Sequence, residues 1–163
     1  MAASATERPG VGVRELQYGG AILATVVTGI HLLHPQLGAP RLITYLQVGT
    51  LFDPRPLAFT VSAFLIVFGM VLVYQGLFVR QVYLLGSVLM VTFILGYVAW
   101  HTVLDHGSFW PHIHAHSHHE MGILETMWVH LIGDPVAMVS KAHELALLVV
   151  LVVLYRTDST PVN

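Results

Sequence analysis

Two stretches of this chain, Pro56 to Val79 and Val82 to Leu104, each run for more than twenty residues without an Asp, Glu, Lys or Arg. A helix needs about 20 apolar residues to cross the hydrocarbon core of a bilayer, since each residue advances it only about 1.5 Å. In water such runs would have to be covered on every side. The rest of the chain cannot cover them: only 10% of its 163 residues are charged and 55% are hydrophobic, whereas a soluble domain carries about a quarter charged residues. Lipid is the expected solvent.

Two further runs extend the pattern. Residues 16–34 contain no charged side chain, and Gly19, Gly20, Thr25, Thr28 and Gly29 are the small residues that let membrane helices approach closely. Residues 136–155 are apolar except for Lys141, His143 and Glu144. The expected fold is an all-α integral membrane protein of one domain. Its four spans cover residues 16–34, 56–79, 82–105 and 136–155. The second and third join as a tight hairpin at Arg80-Gln81. Residues 41–52 are too short to cross. Pro40 suits a helix start and Asp53-Pro54 an end, which predicts a short interfacial helix. Residues 106–122 form a histidine-rich loop, and Ile123 to Ile132 is a second short helical segment before the break at Gly133-Asp134-Pro135. Residues 1–14 and 156–163 read as tails; the first has no basic-then-apolar order of a signal peptide.

Arg8, Arg14, Arg80 and Arg156 fall on one side of such a bundle, and Arg41 and Arg55 on the other. This bias places both termini in the cytoplasm of a multi-pass cell-membrane protein. The absence of cysteine removes disulfides, thiolate metal sites and iron–sulfur clusters. A formal charge of −2 leaves no basic excess for nucleic acid. The expected partners are the bilayer, a second copy of the chain, or a membrane redox or transport protein.

Chemistry is carried by histidine, which makes up 11 of the 163 residues. His31 and His34 share a face in the last turn of the first span, and His101 and Asp105 do so at the end of the third, followed by His106. His130 precedes the fourth span and His143 lies two turns inside it. The four-span topology therefore gathers all the histidines into one half of the molecule. Ionisable groups inside a membrane are costly and usually face the bundle interior with a partner. Glu144 is thus expected to pair with Lys141 at i,i+3, to orient a histidine, or to stay protonated.

Three readings of this site follow. The first is a transition-metal centre for zinc, copper or iron, with His31, His34, His101, Asp105, His106, His143 and Glu144 as candidate ligands, serving metal acquisition, transport or delivery. The second is b-type haem in an electron-transfer protein, with His31 opposed to His101 or His143. There Gly29, Gly86 and Gly96 would make room for the porphyrin, and Phe93, Tyr97 and Trp100 would line it.

The third starts from His101-Thr-Val-Leu-Asp-His106 and His116-Ser-His118-His119. These resemble the histidine boxes of membrane fatty-acid desaturases and carotenoid hydroxylases over fewer than twenty residues. Their spacing differs from that families' usual H-x2-3-H-H, and His143-Glu144 stands where a third box would be needed. The resemblance implies a di-iron oxygenase or hydroxylase. The tract itself, His112, His114, His116, His118 and His119, suits loose capture of a metal ion or pH sensing by joint protonation.

Overall fold

The computed structural model describes residues 11–104 and 122–158. Among these the chain is entirely helical, with α1 (Val11–Leu33), α2 (Ala39–Val48), α3 (Arg55–Tyr74), α4 (Val79–His101), α5 (Ile123–Gly133) and α6 (Pro135–Thr157). Four of them, α1, α3, α4 and α6, are long and apolar enough to cross a membrane. The protein is a multi-pass helical membrane protein.

Each span packs against two others: α1 against α3 and α6, and α4 against α3 and α6. Successive spans alternate in direction, so every neighbouring pair is antiparallel. The buried residues follow a three-to-four spacing along each span, which is the seam of a helix facing a bundle axis. They are Ala24, Val27, Thr28 and His31 on α1; Pro56, Thr60 and Ala63 on α3; Val79, Tyr83, Met90 and Phe93 on α4; and Ser140, Glu144, Leu147 and Leu154 on α6. The large apolar residues left exposed, such as Phe64, Phe68, Leu85, Leu95 and Val149, point away from that axis. In water they would be a liability; in a bilayer they face solvent of their own kind.

The ends of the elements differ from the sequence reading in several places. α2 covers Ala39–Val48, not 41–52, because Gly49 at φ 70° closes it before Asp53-Pro54 is reached, and α4 ends at His101, not at residue 105, with 102–104 in a turn. α1 begins at Val11, immediately after the Pro9-Gly10 breaker, so its first turn lies within the stretch expected to be a tail. The hairpin between α3 and α4 turns at Gln75–Phe78, not at Arg80-Gln81, which lie in the first turn of α4. The reason is Gly76. At φ 71° it takes the left-handed conformation that closes a helix, with its N–H on the Val73 carbonyl and the Leu77 N–H on that of Leu72. At the opposite end of the bundle, Asp134 starts α6: its side chain accepts from the N–H groups of Val136 and Ala137.

We call the end where α1 and α4 finish and α3 and α6 begin the mouth. α2 packs on α3 and α1 there, and α5 on α6 and α4.

Candidate functional site

Glu144 lies nine residues into α6, roughly 13 Å along the helix from Pro135, and is 0% exposed. Its carboxylate is held from both sides. Lys141, one turn earlier, donates to Oε2 at 2.6 Å and to Oε1 at 2.8 Å. Ser140 Oγ donates to Oε1 at 2.8 Å, and His31 Nε2 on α1 donates to the same oxygen at 2.9 Å. Two of the roles expected of Glu144, pairing with Lys141 and orienting a histidine, are filled at once.

His31 occupies the bundle axis. Its ring stacks on Phe93 of α4 at 4.3 Å and meets Phe59 of α3 edge-on at 4.6 Å, so it touches a side chain from each of the other three spans. The Lys141 ammonium gains a third acceptor in the Phe93 carbonyl, at 3.3 Å, and lies 5.2 Å from the Tyr97 ring centre and 6.0 Å from that of Phe93. On the far side of this cluster from the mouth the axis is filled by Ala24, Val27, Met90 and Leu147. The polar cluster is therefore closed toward the chain termini by an apolar plug.

Toward the mouth, α4 continues the line. Phe93, Tyr97 and His101 are spaced by four and share one face. The Tyr97 ring lies 4.3 Å from that of His101, and His101 lies 4.6 Å from His130 of α5. Each of these two histidines donates from Nδ1 to the carbonyl four residues before it, His101 to Tyr97 at 2.9 Å and His130 to Thr126 at 2.8 Å. A carbonyl only accepts, so Nδ1 carries the proton in both rings and Nε2 carries the lone pair in the neutral form.

The remaining candidates are separate. His143 is half-buried and donates from Nδ1 to the Val139 carbonyl at 2.7 Å. His34 closes the turn after α1: its Nδ1 accepts from the N–H groups of Gln36 and Leu37 at 3.2 and 3.1 Å. Burial pushes His34 below the ordinary histidine range; Asp134 opposes this, and His31 and Arg55 add to it. Asp105, His106 and the tract His112, His114, His116, His118 and His119 lie outside the described residues. Among the described residues no three His, Asp or Glu side chains come together in a group able to hold a metal ion. The structure brings His31 to Glu144 and His101 to His130, but does not unite His31, His34, His101 and His143.

The three glycines expected to make room for haem differ in their surroundings. A Cβ at Gly86 would come within 3.0 Å of Leu151, whereas Gly29 and Gly96 have nothing within 4 Å. His31 Nε2 would have to give up its bond to Glu144 to reach a porphyrin iron.

Several contributors were not read from the sequence. Ser140 sits four residues before Glu144, a spacing that could have suggested it. Arg55 is chelated by Asp53, with Nη2 2.6 Å from Oδ2, and lies 3.9 Å over the Trp100 ring, tying the start of α3 to the end of α4. At the end away from the mouth, Gln17 donates to the Tyr83 hydroxyl at 2.9 Å and to Asp158 Oδ2 at 3.1 Å, and Tyr83 donates to the same Asp158 oxygen at 3.1 Å.

Compared with protein-family models, with curated proteins and with solved structures, the chain matches none.

Proposed function

We propose that this membrane protein binds a transition-metal ion, zinc or copper, at the mouth of its bundle, for acquisition or delivery. The observation that carries the reading is the His101–His130 pair. Two rings from different helices approach to 4.6 Å, and each has its Nδ1 proton committed to a backbone carbonyl. Metal-binding histidines are usually oriented in this way, with the second ring nitrogen donating to a carbonyl or carboxylate. On a tetrahedral ion with nitrogens about 2.0–2.1 Å away, the centres of two ligand rings are about 5 Å apart, close to the 4.6 Å between these two. His101 ends α4 and His130 lies in α5, and the chain between them carries the tract from His112 to His119. That tract would collect the ion, and other copies or partner proteins would receive it.

In this reading both termini face the cytoplasm and the mouth faces outward. α2 lies along the membrane surface, its exposed Ile43 and Leu46 toward lipid and Arg41 folded over Tyr45.

The test is metal titration of purified protein, with elemental analysis and an absorption spectrum of protein isolated without added metal. The double variant His101→Ala/His130→Ala should weaken zinc or copper binding by at least about tenfold, the scale for losing an orienting partner alone. Deleting residues 112–119 should lower uptake while leaving the tightest site in place. Unchanged affinity in the double variant would sink the proposal, and a strong Soret band would replace it with haem.

A further inference from the structure

The intramembrane cluster has a chemistry of its own, independent of any metal at the mouth. An ammonium group has three N–H donors and no acceptor. Around the Lys141 ammonium stand three acceptors: Glu144 Oε2 at 2.6 Å, Glu144 Oε1 at 2.8 Å and the Phe93 carbonyl at 3.3 Å. Aromatic faces complete the surroundings, with Tyr97 at 5.2 Å and Phe93 at 6.0 Å, within or at the reach of cation–π attraction. The carboxylate is itself held by His31 and Ser140, so its position does not depend on the lysine alone.

A lone ion pair would stabilise a buried lysine without this enclosure. Here every donor of a primary ammonium is matched inside a span, by groups from α4 and α6. The Tyr97 hydroxyl is buried with no hydrogen-bond partner, and so are Thr28 Oγ1, one turn from His31, and Thr60 Oγ1, next to Phe59. Buried hydroxyls are normally paired. Of these, Tyr97 belongs to the ring that faces the Lys141 ammonium, and its hydroxyl is polar capacity that Lys141 does not use. The apolar plug of Ala24, Val27, Met90 and Leu147 fills the axis below, and Lys141 keeps 18% of its side chain exposed.

We propose that the cage formed by Glu144, the Phe93 carbonyl and the Tyr97 ring is a binding site for small primary ammonium ions, entered from the mouth, and that Lys141 is its tethered competitor. A tethered group acts at a high effective concentration, so the site is largely self-occupied until an external ammonium displaces the lysine toward the mouth.

Lys141→Ala removes the competitor and leaves the cage. In detergent-solubilised full-length Lys141→Ala, saturating methylammonium should raise the apparent Tm by about 5 °C or more. Equal concentrations of sodium, potassium or tetramethylammonium should not, since none offers three N–H donors. The wild-type chain should need at least about tenfold more methylammonium for the same shift. Lys141→Ala/Glu144→Gln, which removes both charges and so leaves no orphan carboxylate, should fold and be unresponsive. An equal response of Lys141→Ala to sodium would mean charge screening and would overturn the site. So would the absence of any methylammonium effect, including failure to recover Lys141→Ala protein with or without methylammonium present. Loss of metal binding at the mouth would leave these outcomes unchanged.

Discussion

Near the mouth, α1 is joined to α6 through His31, Glu144 and Lys141; at the other end the same two helices are joined to α4 through Gln17, Asp158 and Tyr83. Both knots centre on a carboxylate with almost no exposure, 0% for Glu144 and 5% for Asp158. They lie at different places along the bundle. Asp158 is one residue past the end of α6, and its hydrogen bonds include one from the Gln17 amide and one from the Tyr83 phenol. Glu144 lies well inside its helix and takes an ammonium, an imidazole and a hydroxyl. Burial by protein atoms is similar in the two places, but distance from water is not. Where the bilayer surrounds the bundle, an ionised carboxylate requires a counter-charge.

That contrast predicts unequal costs. The largest should come from Glu144→Ala, which leaves the Lys141 ammonium buried without its partner. Breaking a buried pair from one side typically costs about 3–5 kcal/mol, whereas replacing both partners with apolar residues is often close to neutral. Thermal or denaturant unfolding in detergent should therefore rank Glu144→Ala well below Lys141→Met/Glu144→Leu. A double variant as unstable as the single one would remove the distinction. Tyr83→Phe at the far knot should cost about 1.5 kcal/mol, the scale of one hydrogen bond to a charged group. If it matched Glu144→Ala, the two knots would be equivalent and depth in the membrane would not matter.

The smallest effect concerns His34 at the mouth. Its Nδ1 must be unprotonated to accept from Gln36 and Leu37, and burial lowers its pKa from 6.5. A group whose folded value is depressed in this way binds its proton more readily when unfolded. Its contribution is whole above about pH 6.5 and is lost as pH falls through the lower, folded value. Stability should decline across that interval, and the decline should be shallower in His34→Ala. Equal slopes would show that this cap plays no part in the pH response of the mouth.

The four spans were legible because length without charge is a one-dimensional property. So was the level at which the histidines gather, since topology alone decides which helix ends lie together. Their bearing around each helix was not. His143 and Glu144 are adjacent in sequence and looked equally suited to an inward role, yet one residue is about 100° of rotation. Glu144 faces His31, and His143 bonds its own backbone at Val139. The Lys141–Glu144 pair could be read from its spacing of three. Its partner His31 could not be singled out, because that contact joins residues 113 apart in the chain. The α3–α4 turn was misplaced because Arg80 and Gln81 are the polar residues there, while Gly76 holds the conformational freedom that ends the helix.

The carbonyl bonds of His101, His130 and His143 have a chemical consequence of their own. In each ring the helix spends the Nδ1 proton on the residue four positions earlier, so the backbone decides which nitrogen is the nucleophile. An electrophile that reaches the neutral ring of His143 meets Nε2, and the regiochemistry of its product is written by helical geometry before the reagent arrives.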